Sequence, residues 1–153
     1  MKKKWKKLGQ ILKGYFKLMD KKYLAKIIAK DYQGLQVISA CCTNAKINMH
    51  EIKYLPKNKI FLLCLKRLEH EKKEKNKRIN SICKFEFVDT VKSKNINQEK
   101  KDLELELLAI DVLKIKKNYE INLIFSKNAY ITLSTEIIEA TLEDQSQSTL
   151  WKF

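Results

Sequence analysis

The chain has 153 residues, 44% of them apolar and 33% charged, with a formal net charge of +14. This length and apolar content fit one globular domain able to bury its own core and exclude wholesale disorder. No apolar run reaches the roughly eighteen residues that a membrane-spanning helix needs, and lysines continue through the place where a secretory signal would carry its apolar segment.

The charge is unevenly spread. Residues 1–22 hold nine lysines against the single acid Asp20, a net +8, which leaves +6 for the other 131 residues. Within 5–19, the apolar residues Trp5, Leu8, Leu12, Tyr15 and Met19 follow spacings of 3, 4, 3 and 4, the period of one helical face. Ile11, Phe16 and Leu18 widen that stripe, so the arm is expected to form a basic amphipathic helix. Gly9 and Gly14 each cost it about 1 kcal/mol relative to alanine. An isolated helix of this length is marginal in water and needs a surface to order it. The residues expected to touch an anionic surface are Lys2, Lys3, Lys4, Trp5, Lys6, Lys7, Lys13 and Lys17. The surface would be an anionic membrane, a nucleic-acid backbone or an acidic protein. A helix docked on its own domain and a merely solvated extension are the alternatives.

Residues 23–145 read as one domain and 146–153 as a C-terminal tail. Lys21 to Ala29 is β-capable. Asp31 reads as the N-cap of a helix over 31–44, carried by the stripe Leu35, Ile38, Cys42 and Ala45, with Gly34 an awkward residue in its first turn. Residues 46–55 read as a strand, Pro56-Lys57-Asn58-Lys59 as a turn and Ile60 to Leu68 as a second strand, so 46–68 is expected to form a hairpin. Glu69 to Arg78 has no apolar residue at all and reads as a solvated loop or the exposed tip of a hairpin. Ile79, Ser81, Cys83, Phe85 and Phe87 share one parity and mark a half-buried strand. Lys92 to Asp102 reads as a second polar loop.

Leu103, Leu105 and Leu107 alternate with Glu104 and Glu106, a strand that continues through Leu108, Ile110 and Val112 with a change of face. A bulge is therefore expected near Ala109. Ile121, Leu123 and Phe125 form the next strand, Lys127-Asn128 turns it, and Ile131 and Leu133 continue the pairing. Ile138, Ala140 and Leu142 follow after a bulge near Glu136 or a short helix. All three glycines and the one proline lie in the first 56 residues, so later turns must use Asn, Asp, Ser and Lys. The pattern predicts an α+β domain: an antiparallel sheet of six or seven strands packed with one helix, plus the basic amphipathic N-terminal helix.

The order of motifs in the body resembles a small alphaproteobacterial family, domain-of-unknown-function family 2948. The resembling segments are Asp31 to Ala40, Ile52 to Phe61, Phe85 to Ile96, Leu105 to Ile110 and Ile121 to Leu142. The Tyr-Leu-Pro-Lys turn, the Val-Lys-Ser-Lys stretch and the Leu-Leu-Ala-Ile strand carry most of the likeness. Together they span about residues 23–145, and the arm departs from the family's pattern. The resemblance implies a bacterial cytosolic protein and brings no active-site residues with it.

The search for chemistry is short. Cys41, Cys42, Cys64 and Cys83 form no CxxC, and adjacent cysteines on a helix project about 100° apart. The spacings of His50 and His70 to them match no zinc site. Four cysteines without a secretory signal point to free thiols in a reducing compartment, acting as small buried hydrophobes. There is no phosphate-cradling glycine loop and no nucleophile–base arrangement, so no catalytic, cofactor-binding or metal residues are assigned and no cofactor is expected. Lys92 and Lys94 form a secondary basic patch. The expected function is a non-enzymatic binding or accessory domain, cytoplasmic or peripheral to the membrane. An RNA- or ribosome-associated protein is the alternative, and an enzyme with an unfamiliar site the second.

Overall fold

The computed structural model of the protein describes residues 25–68 and 77–146. The helix expected over 5–19, the charged stretch 69–76 and the tail beyond 146 lie outside the described residues. In chain order the elements are β1 (Lys26–Ala29), α1 (Tyr32–Cys42), β2 (Ala45–Asn48), a 3-10 turn (Met49–Glu51), β3 (Ile52–Leu55) and β4 (Ile60–Leu68). They continue with β5 (Arg78–Phe85), β6 (Val88–Lys94), β7 (Glu104–Ile115), β8 (Asn118–Phe125), β9 (Ala129–Thr135) and β10 (Ala140–Asp144).

Every strand pair is antiparallel, in the order β1-β10-β5-β4-β2-β7-β8-β9-β6, with β3 also on β4. The class is the expected α+β. The described residues contain ten strands where six or seven were predicted. Two local features account for much of the difference. The stretch 46–55 is not one strand, because the 3-10 turn splits it and places His50 in that turn rather than mid-strand. The hairpin proper is β3–β4, while β2 pairs along its length with β7 and with β4 in register only at Lys46 opposite Lys66. The predicted loop at 92–102 also begins too early: Lys92 to Lys94 complete β6, an edge strand whose exposed residues hide its period.

Strands far apart in this order share one interior. Ile27 of β1 and Val88 of β6, from its two ends, belong to the same buried cluster as Phe61, Leu107 and Leu133. The sheet therefore curls over its core, and the Tyr54 hydroxyl of β3 marks the overlap by donating to the carbonyls of Val88 and Asp89 at 2.8 and 3.0 Å. The α1 helix packs on the inner side, mainly against β7 and β1.

Asp31 caps α1 as the sequence predicts: its carboxylate accepts from the Gly34 N–H at 2.7 Å, worth about 1 kcal/mol. Gly34 is awkward only for an isolated helix. A Cβ built there would lie 2.8 Å from the Ala29 Cα and 2.9 Å from its Cβ, so the missing side chain lets the helix start close against β1. At the other end Asn44 takes φ +65°, as helix-terminating asparagines do, and its N–H donates to the Leu107 carbonyl at 2.7 Å.

The predicted bulge is present. Leu107 faces Phe125 and Ala109 faces Ile124, so Leu108 is the extra residue that turns β7 over. The Ile110 N–H beyond it donates to the Ser39 hydroxyl of α1 at 2.9 Å. At 136–139 there is neither a bulge nor a helix: the chain leaves β9 and crosses to β10, which pairs with β1 and β5. Turns after residue 56 use Lys and Asn at positive φ (Lys59, Asn95, Lys116, Lys127 and Asn128), as the shortage of glycine requires. Phe87 corrects the alternation. It shares the inward parity of Phe85, yet β5 ends at Phe85 and Phe87 turns outward at φ +60°, 45% exposed.

Candidate functional site

Of the residues expected at a functional surface, Lys2, Lys3, Lys4, Trp5, Lys6, Lys7, Lys13 and Lys17 lie outside the described residues. Lys92 and Lys94 are exposed on the edge strand β6, facing Thr132 and Tyr130 of β9. The structure brings together two further groupings that sequence alone left unassembled, one at each end of the sheet.

The first is a charged cluster in the interior. Arg67, Ser81 and Asp144 sit at inward positions of the adjacent strands β4, β5 and β10 and are buried. The Arg67 guanidinium donates through Nε and Nη2 to the two Asp144 carboxylate oxygens at 2.8 and 2.6 Å, and the Ser81 hydroxyl donates to Asp144 Oδ1 at 2.6 Å. Such a two-point pairing fits the planar fork of arginine and gives the carboxylate a third donor. Its signal was readable: Arg67 continues the inward parity of Phe61, Leu63 and Leu65, and Asp144 that of Ala140 and Leu142.

All four cysteines are free and buried. Cys41, Cys42 and Cys83 share one neighbourhood, and Cys64 lies on the other face of β4 near the 3-10 turn. Burial is the leading cause that pushes the Cys64 and Cys83 thiols up to about 12 and raises Cys42 well above the ordinary range. In the unfolded chain these thiols ionise near 8.5, so between about pH 9 and 12 the folded state holds more protons. Stability is then expected to fall as pH rises through that window, each thiol adding up to about 1.4 kcal/mol per pH unit. Urea midpoints measured from pH 8 to 11 check this: Cys83→Ala should flatten the decline relative to the wild type.

The second grouping is the loop end. The β1–α1 link, the β3–β4 turn, the β5–β6 link, the β7–β8 turn and the β9–β10 link converge there. The Val88 N–H donates to the Lys59 carbonyl at 2.8 Å, and the Glu86 N–H to the Glu139 carbonyl at 2.9 Å. Lys59 pairs with Asp89 at 2.9 Å and Lys30 with Glu139 at 4.0 Å. The hydrogen bond from Lys59 to Asp89 raises the Lys59 ammonium above its ordinary value.

Between these links lies an open groove of about 860 Å³, lined among others by Tyr32, Val112, Lys114, Tyr119, Ile137 and Ile138. It exists because Lys114 and Tyr119 occupy inward positions of the β7–β8 hairpin beyond the start of α1, where no helix covers them. The Lys114 ammonium lies 5.9 Å from the centre of the Tyr119 ring, a cation–π distance. Lys57, Lys114, Lys116 and Lys117 form no ion pair with any described residue.

No group of three or more His, Cys, Asp or Glu among the described residues is placed to hold a metal ion, and no helix among them is long and apolar enough to cross a membrane. His50 Nδ1 faces the Lys101 carbonyl at 3.1 Å and must carry the hydrogen there.

These features define an antiparallel α+β domain with one internal helix, a buried ionic cluster at one end and a basic, apolar-tipped loop surface at the other. The chain belongs to the family described as Protein of unknown function (DUF2948), whose model matches residues 25–152. The match begins next to β1 and leaves the basic arm outside it. No curated protein and no solved structure matches the chain.

Proposed function

We propose that this protein is a binding or accessory protein that engages an anionic surface, with the inner face of a membrane as the partner its arm fits best. The observation that carries this reading is the partition of charge: +8 of the total +14 falls in residues 1–22. There lysines alternate with an apolar stripe that begins at Trp5. Near an anionic bilayer each such lysine contributes about 1 kcal/mol, and the stripe supplies the apolar face that lies in the headgroup region. The body supports the reading with more lysine than it neutralises, at the loop end and on β6 at Lys92 and Lys94.

Co-sedimentation of the full chain with phosphatidylserine-containing vesicles, beside a gel shift with RNA, tests the proposal. Binding is expected at low salt, weakening as salt screens the lysines. Replacing Lys6 and Lys7 with glutamine should weaken vesicle binding about thirtyfold. Binding to RNA in place of vesicles, with a log-linear loss in salt, would transfer the arm to the nucleic-acid reading. A chain that binds neither at low salt overturns the proposal.

A further inference from the structure

Six of the eight exposed large hydrophobic side chains among the described residues lie at the loop end: Tyr32, Leu55, Phe87, Leu113, Ile115 and Ile137. They arise from five separate links and strand ends, so no single amphipathic element explains their gathering. Apolar side chains scattered over a surface are ordinary, whereas several brought to one end of a domain from separate elements mark an interaction surface. Around them stand four lysines, Lys57, Lys114, Lys116 and Lys117, none of which has an ion-pair partner among the described residues. Glu136, Glu139, Asp89 and Asp31 share this end, but Glu139 and Asp89 are paired with Lys30 and Lys59, and Asp31 caps α1.

We infer that the loop end is a lipid-contacting surface, its apolar tips entering the headgroup region of an anionic bilayer while its lysines meet the lipid phosphates and carboxylates. This rests on the anionic-surface reading above and assigns the body a contact of its own. Charge complementarity selects the occupant. Unpaired lysines flanking apolar loop tips match an anionic interface, where side chains with long apolar stems keep the charge at the headgroups. A second copy of this chain would bring the same lysines against themselves. Phe87 fits the role: a phenylalanine at φ +60° is strained, yet its ring is left exposed at the loop end.

The arm does not compete for this geometry. It enters the domain at the opposite end, where the Asp144 N–H donates to the Ala25 carbonyl at 2.9 Å. Yet 22 residues span up to about 75 Å when extended, against about 40 Å for the twelve residues of β7. Arm and loop end can therefore reach one bilayer.

The experiment uses the full chain and vesicles with and without phosphatidylserine. Phe87→Asn suits the left-handed backbone better than phenylalanine and so keeps the fold, which a thermal melt checks. With Ile137→Ser added, binding is expected to fall about tenfold or more. A second measurement places an environment-sensitive fluorophore at Phe87→Cys, the native thiols being buried. Its emission should shift to the blue on anionic vesicles, while the same dye at Glu99→Cys, exposed in the link between β6 and β7, should not. If the double variant binds as tightly as the wild type, or the dye at position 87 stays in water while the protein sediments, the loop end is not the contact. The arm proposal then stands. If the Lys6 and Lys7 variant binds normally but the loop variant does not, the arm proposal fails and this inference stands. Absence of vesicle binding by the wild type overturns the inference whatever RNA does.

Discussion

Replacing Asp144 with alanine is expected to lower the unfolding free energy by about 3–5 kcal/mol, because it leaves the Arg67 guanidinium buried without the carboxylate that it meets at two points. Asparagine should not rescue it. The amide oxygen could still accept from Arg67 Nε and from Ser81, but the amide nitrogen would face Nη2, donor against donor, and the guanidinium would lose the Asp144 charge. Removing both charges together is a different matter. Arg67→Met with Asp144→Leu fills similar space with apolar atoms, and such replacements are often neutral or stabilising. Urea denaturation of the single and double variants checks this. A single variant within about 1 kcal/mol of the wild type would show that the pair is far better hydrated than its burial says.

Gly34→Ala is the second large effect, and its sign is the informative part. In a solvated helix the change gains about 1 kcal/mol. Here the new methyl would sit 2.8 Å from the Ala29 Cα, a backbone atom that cannot swing aside. Overpacking of this kind costs about 1–3 kcal/mol, and it falls at the junction of α1 with β1. A net loss of about 2 kcal/mol is expected in thermal or chemical melts. Combining it with Ala29→Gly removes the contact with the Ala29 Cβ but not the one with its Cα, so the rescue should be partial. A stabilised Gly34→Ala protein would mean that the helix start stands further from β1 than described.

Much of the body was legible because short-range rules governed it. Asp31 caps α1 by a contact three residues away, and the change of face after Leu107 required an extra residue in β7. Burial alternates along β9 as the sequence does. Where the reading failed, the deciding contacts were remote. The split of 46–55 into β2 and β3 depends on β7 and β4 competing for the same stretch. Lys92 to Lys94 count as a strand only because β9 supplies a partner. Phe87 obeys its neighbours' parity in sequence but not in space, since β5 ends before it.

The candidate surfaces divide in the same way. Charge is a sum over residues, so the cationic arm and the excess of lysine are properties of composition and order. The inward parity of Arg67 and Asp144 was likewise visible strand by strand. Their pairing was not, because residues 77 positions apart meet only when β10 lies beside β5 and β5 beside β4. The loop end is the extreme case: each of its apolar residues looks like an isolated exposed side chain, and the curl of the sheet alone brings them to one end. Local backbone preference and side-chain period act over a few residues and are written along the chain. Adjacency between distant segments is settled by which apolar faces close on one another, and here that closure also decides why residue 34 is glycine.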